Sequence, residues 1–340
     1  MKQRHIWVGL GISLALLGYL FARVEYGRLW LSLTSADVPL LLLAAALLTG
    51  TLVTRAWRWQ YLLKPLKRVG FSNSLSATSI GLMANMILPL RLGEIVRAVV
   101  LGYREGIDQS ASFATVVVDR LLDGFTILFI LAVMLLVVPL PLDRAWQERL
   151  RWGGLLFFFI YLGVFALLFY LHRSPAQVLH WMRRLSSGLP ARWVDRLCRF
   201  LESFSRGLHI LDHTEYLGQI VVTSLILWGL MGAYNFLIVQ AFHLNLPLTV
   251  GFLLLVVQAV AVMLPSSPGF VGTHHAASFA CLRLWGVSPE TALSVALVMH
   301  AIGYLLTIAI GAIYLWVVGI SLRDLSQPDR AIPDLPSTTA

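Results

Sequence analysis

Residues 216–282 run for 67 positions without an Asp, Glu, Lys or Arg. A helix crosses the ~30 Å hydrocarbon core of a bilayer in about 20 residues, so this stretch holds roughly three membrane segments. A water-soluble core is not built that way. The whole chain agrees, with 58% hydrophobic and 13% charged residues, where soluble domains run near a quarter charged. The expected class is an all-α polytopic membrane protein. Only Cys198 and Cys281 occur, which supports neither a disulfide framework nor a multi-cysteine metal site. The net charge of +9 does not point to nucleic acid, because the basic residues flank apolar spans, where Lys and Arg set topology.

Taken in order, residues 6–22 follow Lys2 and Arg4 and lack a small-residue cleavage site, so they read as a retained first helix. A second span, about 39–57, is followed by Arg58, Lys64, Lys67 and Arg68, which puts that end on the cytoplasmic side together with the N-terminus. Residues 71–90 are uncharged, but an anomaly follows: residues 86–97 carry Pro89, Arg91, Gly93 and Glu94 in otherwise apolar sequence. Irregular backbone at membrane depth is tolerated only inside protein or beside a water-filled cavity. A full crossing here would put Arg173, Arg183, Arg184, Arg192, Arg196, Arg199 and Arg206 outside, against the charge rule. Residues 71–104 therefore read as a re-entrant hairpin entering from the cytoplasm.

Spans at about 112–138 and 152–171 come next. The connector, about 172–214, has Trp181 and Trp193 among its arginines and reads as an amphipathic surface on anionic lipid or as a solvated helical linker. A span at 217–242 precedes a second break, residues 263–272, which include Pro265, Ser266, Ser267, Pro268, Gly269 and Gly272. Residues 249–282 then form a hairpin entering from outside, and a last span, about 291–320, leads to a polar tail, 323–340, expected to be disordered. The expectation is about six full transmembrane helices plus two oppositely oriented re-entrant helical hairpins in one domain, 1–322, with both termini cytoplasmic. Residues 38–138 and 217–320 would form an inverted repeat, a transporter signature.

Several side chains are candidates for chemistry. Arg91 offers a forked cation suited to phosphate, and Glu94 lies in the first turn of a half-helix whose N-terminus attracts anions; alternatively Glu94 caps that helix and pairs with Arg91 or Arg97. Asn85, one turn before Pro89, can satisfy backbone groups freed by the break. Asp119-Arg120-Leu121-Leu122-Asp123 sets two carboxylates four residues apart, deep in a span where ionisable groups are costly and read as functional by default; a structural ion network is the other reading. Arg55 and Arg58 beside Trp57 and Trp59 read as snorkelling belt residues or as ligand contacts. At the second break, Ser267, Gly269, Gly272 and Thr273 offer hydroxyls and accessible backbone, with His275 or His300 as a proton-relay member. His274 and His275 point about 100° apart on a helix, against a shared metal. Neither a nucleotide fingerprint nor a hydrolase or zincin motif occurs, so no cofactor or metal is expected.

These residues carry a resemblance. Arg55-x-x-Arg58-Trp59, Asn85-x-x-x-Pro89-x-Arg91-x-Gly93-Glu94-x-x-Arg97, Asp119-Arg120-x-x-Asp123 and Pro265-x-x-Pro268-Gly269-x-x-Gly272 resemble the flippase-like transmembrane region of lysylphosphatidylglycerol synthetases over most of residues 1–322. Many members of that family have Glu-Arg at Asp119-Arg120, Gly at Phe270 and Glu at His275. The resemblance implies translocation of lipids with phosphate head groups, such as phospholipid, aminoacyl-phospholipid or polyprenyl-linked lipid, between leaflets of the inner membrane. The aminoacyl-transferase domain of full-length synthetases has no counterpart in residues 1–340, so lipid aminoacylation is not expected. In this reading Arg55, Arg58, Asn85, Arg91, Arg97, Arg120, Ser267, Gly269, Gly272 and Thr273 contact the head group, while Glu94, Asp119, Asp123 and His275 balance charge or carry a coupling proton. A lipid synthase or glycosyltransferase is the expected protein partner. The alternatives are a membrane enzyme on a lipid-linked substrate, with Glu94 or Asp119 as general base, and a non-catalytic membrane partner docking through residues 172–214.

Overall fold

The computed structural model describes residues 2–88, 91–137, 143–185, 191–263 and 267–319, and in these there is no strand. Thirteen α-helices follow one another: α1 (Lys2–Phe21), α2 (Tyr26–Thr34), α3 (Val38–Leu63), α4 (Phe71–Ile87), α5 (Gly93–Glu105), α6 (Gln109–Val137), α7 (Arg144–Arg173), α8 (Pro175–Leu185), α9 (Ala191–Gly207), α10 (Leu217–Ala241), α11 (Thr249–Ala261), α12 (Thr273–Leu284) and α13 (Pro289–Val318). Short 3₁₀ turns at Leu208–Asp212, Thr214–Tyr216 and Pro268–Phe270 link some of them. The chain is an all-α multi-pass membrane protein. Helices α3, α7, α10 and α13 are long and apolar enough to cross a bilayer, and α1 and α6, at 20 and 29 residues, reach the length a crossing needs.

Local chemistry sets the long helices' ends. Asp37 caps α3 by accepting from the Leu40 amide at 3.2 Å, Asp143 caps α7 through the Trp146 amide at 2.8 Å, and Ser288 caps α13 through the Thr291 amide at 3.2 Å. Each satisfies one of the donors a helix start leaves open.

Four of the shorter helices behave differently. Helices α4 and α5 have 17 and 13 residues, and α11 and α12 have 13 and 12. At 1.5 Å per residue they span about 18 to 26 Å, short of the hydrocarbon thickness. Each pair folds back on itself. A straight helix would separate residues 81 and 97 by about 24 Å, yet a Cβ on Gly81 would lie 2.6 Å from the Arg97 Cβ and 2.8 Å from the Gly93 carbonyl. Only glycine allows that approach. In the second pair the Gln258 amide donates to the Ser278 hydroxyl at 3.1 Å, which again requires a reversal.

Packing follows the same order in both halves. Helix α4 lies on α3 and α5, and α5 on α6; α11 lies on α10 and α12, and α12 on α13. Across the centre α3 meets α10, α4 meets α13 and α6 meets α11. Where α13 crosses α4, a Cβ on Gly311 would sit 2.3 Å from the Met83 Cβ.

Two elements depart from expectation. Residues 26–34, between the first two expected spans, form α2, which packs on α13 and buries Leu29. The connector is docked more closely than a free amphipathic helix: α9 packs on α6, and a Cβ on Gly207 would fall 2.2 Å from the Ala111 carbonyl. Ser203 donates to Asp108, and Phe204 meets Phe113 at 6.3 Å between ring centres. Trp193, Leu197 and Phe200 remain exposed on α9. Pro89, Leu90, Leu264, Pro265, Ser266 and the tail 323–340, all used in the sequence reading, lie outside the described residues.

Candidate functional site

Two pairs of oppositely charged residues face each other across the bundle. Arg55 and Arg58 lie three residues apart on α3, and Asp119 and Asp123 four apart on α6, so each pair shares a helix face. The Arg58 Nε donates to the Asp119 Oδ1 at 2.8 Å and its Nη2 to the Asp123 Oδ1 at 2.6 Å. Arg55 meets the Asp123 Oδ2 at 2.9 Å, and Arg97 of α5 meets the Asp119 Oδ2 at 2.8 Å. Ser224 of α10 accepts from the Arg58 Nη1 at 3.1 Å. Arg58 and Asp119 are each 0% exposed.

The snorkelling reading of Arg55 and Arg58 therefore fails. Both heads turn inward because two carboxylates wait there, and Trp57 alone of that stretch's tryptophans stays exposed while Trp59 is buried. The Trp59 ring carries the Arg97 guanidinium at 3.8 Å from its centre, a cation–π contact, and donates to the Thr115 hydroxyl at 2.9 Å. Asp119 and Asp123 sit ten and fourteen residues into α6, about 15 and 21 Å along a 29-residue helix.

This cluster lies behind a cavity of about 290 Å³ that Arg55 lines. Arg55, Asn85, Arg91, Glu94 and Arg120 form its polar wall, charged but for Asn85; His274, His300, Tyr304, Gly269 and Phe270 face them from the second half. Leu48, Leu52, Leu306 and Ile310 make an apolar flank. Arg120 spreads over three acids, 3.1 Å from Asp123, 3.3 Å from Asp119 and 3.6 Å from Glu94. Glu94 also accepts from the Asn85 amide at 3.2 Å; it pairs with neither Arg91 nor Arg97 among the described ion pairs. Counted together, Arg55, Arg58, Arg91, Arg97 and Arg120 outnumber Asp119, Asp123 and Glu94, leaving the site cationic.

Arg91 is the unmatched charge. It stays exposed and has no carboxylate within 4.0 Å among the described residues; its guanidinium lies 5.6 Å from the centre of the Phe270 ring. Its backbone is left-handed at φ 55°, and Phe270 opposite has φ 59°. Such conformations cost non-glycine residues of order 1–3 kcal/mol and persist where the surroundings impose them. The two strained residues, one at each break, are the ones that touch.

The second break is held by neutral groups. Ser13 of α1 accepts from the Ser267 amide at 3.1 Å and bonds its hydroxyl at 3.0 Å. A Cβ on Gly272 would be 2.8 Å from the Ser13 carbonyl, so α1 backbone passes directly over this turn. The His275 Nδ1 accepts from the Gly272 amide at 3.2 Å, the His300 Nε2 donates to the Gly269 carbonyl at 2.7 Å, and Thr273 donates to the Phe270 carbonyl at 3.2 Å. The His275 and His300 rings are 4.5 Å apart and those of His274 and His300 5.2 Å. Both assigned tautomers put the proton on Nε2, because a carbonyl only accepts and an amide only donates.

Of the residues expected from sequence, Arg55, Asn85, Arg91, Glu94, Arg120 and Gly269 line the cavity. Arg58, Arg97, Asp119 and Asp123 lie beneath that wall as its support. Ser267, Gly272, Thr273 and His275 stand outside it, turned toward α1 or locked into the turn. Sequence reasoning missed Gln258, Tyr234 and Tyr304, which line the cavity. Gln258 had a signal, being the one polar side chain within the apolar run Phe252–Ala261 of α11; it bonds Asn235 at 3.3 Å as well as Ser278.

Comparison with known proteins places this geometry in context. Residues 6–311 match the family model described as the lysylphosphatidylglycerol synthase TM region. Among curated proteins, Glycosyltransferase AglD of Haloferax volcanii is 23% identical over 98% of this chain and 57% of its own length, so the chain spans little more than half of that relative. A UPF0104 membrane protein of Methanothermobacter thermautotrophicus is 24% identical over 86% of this chain and 89% of its own length. Another, from Methanocaldococcus jannaschii, is 21% identical over 69% of this chain and 93% of its own. No solved structure matches.

Proposed function

Because the chain belongs to the lysylphosphatidylglycerol synthase TM-region family, we propose that it is a lipid flippase moving an anionic, phosphate-headed lipid between leaflets. The observation that carries this reading is the exposed, unpaired Arg91 on the wall of a cationic cavity inside a membrane bundle. A phosphate entering there meets Arg91 and Arg55 directly and competes with Glu94 for Arg120, whose 3.6 Å contact is the loosest in the cluster. At about 290 Å³ the cavity suits a head group, and the apolar flank suits the start of an acyl or prenyl chain. The buried pairs on Arg58 and Arg97 keep this wall rigid, so its donors need little rearrangement when the anion arrives.

The two helix pairs that fold back support re-entrant hairpins entering from opposite faces, and the matching contact order supports an inverted repeat with a midplane site, the arrangement of alternating-access transporters. With the basic connector placed inside, both termini are cytoplasmic and the membrane is the inner one. Glu94 and the His275–His300 pair are the coupling groups: a proton on the His275 Nδ1 would oppose the Gly272 amide and loosen the second break. Asp119 and Asp123, each held by several arginines, serve charge balance.

The test is lipid transfer in liposomes holding purified protein and fluorescent anionic or zwitterionic lipids. Arg91→Ala is expected to lower anionic transfer about 10- to 100-fold, the loss of one to two charge-assisted hydrogen bonds, with folding retained. Transfer unchanged in this variant, or equal for head groups without phosphate, overturns the reading. A second reading, a membrane partner of a glycosyltransferase, is favoured by the part of AglD that this chain leaves unmatched; capture of such an enzyme through α9, lost in Trp193→Ser with transfer unaffected, would support it.

A further inference from the structure

We propose that His172, His209 and Asp212, where the connector returns to the end of α7, form a binding site for a divalent transition-metal ion of the zinc type. The site lies apart from the cavity, and nothing in the transport reading requires it. His172 belongs to the last turn of α7; His209 and Asp212 lie three apart on the 3₁₀ turn Leu208–Asp212, where i and i+3 project from the same edge. The turn is fixed from below by Leu208 and Ile210, both buried.

The donor atoms converge. The His172 Nε2 is 2.7 Å from the Asp212 Oδ2, the His209 Nδ1 is 3.7 Å from that same oxygen, and all three donors fall within 4.8 Å of one another. Tetrahedral zinc with bonds near 2.0–2.1 Å holds its donors about 3.3 Å apart, so both contacts to the carboxylate already lie within about 0.6 Å of that spacing, and the two imidazole nitrogens, within 4.8 Å of each other, need only rotate closer. The two imidazoles meet edge to face at 85°, centres 5.2 Å apart, and the His172 Nε2 and His209 Nδ1 both face the one carboxylate oxygen that a metal ion would share with them. The carboxylate's other oxygen faces the Arg173 Nη2 at 3.6 Å, so Asp212 can ligate through Oδ2 while its second oxygen keeps a partner, the usual outer support of a metal ligand. The negative end of the α7 dipole adds attraction for a cation. Two imidazoles and one carboxylate favour zinc, cobalt or nickel over magnesium, which prefers oxygen ligands and keeps its water.

Such an ion would clip the ends of the 36 residues between His172 and His209, which include α8 and α9, onto α7, and three protein ligands would leave the fourth position to water. The test uses full-length protein purified without a polyhistidine tag, stripped with chelator and titrated with Zn²⁺ and Co²⁺. About one equivalent per chain is expected by elemental analysis, with visible ligand-field bands for cobalt. His209, 54% exposed at its side chain, can change without threatening the fold; His209→Ala and Asp212→Asn are each expected to weaken binding 10- to 100-fold, while His243→Ala leaves it unchanged. Added zinc should raise the melting temperature of the parent protein and not that of His209→Ala. Binding equally tight in His209→Ala, or no binding below 100-fold molar excess of zinc, overturns the proposal and leaves the three groups as a hydrogen-bonded cluster.

Discussion

Each helix break carries one left-handed residue that is not glycine, Arg91 at the first and Phe270 at the second, yet their chemistry is opposite. At the first, around Arg91, the ionised groups answer to charges on α6, Arg97 to Asp119 and Glu94 to Arg120, with Arg91 itself left unmatched. At the second, around Gly269, every named contact is made by hydroxyls, imidazoles and backbone, and the stabilising neighbour is the N-terminal helix α1. A buried ion network is strong only while complete, since removing one member strands the others without water. Neutral hydrogen bonds are each worth about 0.5–1.5 kcal/mol and fail one at a time. The first break is thus built for rigidity and charge, the second for yielding.

The sharpest way to break this comparison is Arg58→Met. It leaves Asp119 and Asp123 underpaired in the core, and a loss of about 3–5 kcal/mol is expected, read as a large fall in melting temperature. A mild effect would mean that the network is not what holds α3 to α6. Next is Arg91→Gly, which keeps the fold and relieves the left-handed backbone: stability should rise by about 1 kcal/mol while anionic lipid transfer falls at least tenfold. A joint loss of both would assign Arg91 to the scaffold.

At the second break, His275→Ala removes the acceptor for the Gly272 amide and should cost about 1 kcal/mol; His275→Gln, whose Oε1 can accept in its place, should recover part of it. If His275→Ala costs as much as Arg58→Met, the contrast between the breaks disappears.

The smallest effect serves as a control outside both breaks. Burial pushes the Asp108 carboxyl up, but the Ser203 hydroxyl and the Ala111 and Ser110 amides hold it below the ordinary carboxylate range. A depressed folded value means that its support for α9 docking is present above about pH 4 and fades as pH falls below it. Protease sensitivity of the connector should rise there in the parent protein and be less pH-dependent in Asp108→Asn.

Hydropathy made most of the fold legible, because membrane spans announce themselves through length and missing charge. The first break was legible for the related reason that Arg91 and Glu94 are expensive in such surroundings, as are Asp119 and Asp123 in the span that follows, and the second was legible through its prolines and glycines. What the chain did not disclose was direction. Periodicity gives no sign that Arg55 and Arg58 turn inward, since a snorkelling arginine and a buried one share the same neighbours in sequence; only the opposing carboxylates, 61 and 65 residues away, decide it. Helix α2 escaped notice because nine residues with one buried leucine make a weak pattern. His172 was invisible as a candidate ligand because its partners lie across α8 and α9.

The backbone of α1 passes over Gly272 with no room for a methyl group. The turn at Gly272 therefore cannot shift toward α1 unless α1 moves with it. Helix α1, which a hydropathy plot would pass over as a mere anchor, is thus a neighbour that the second break leans on through Ser13.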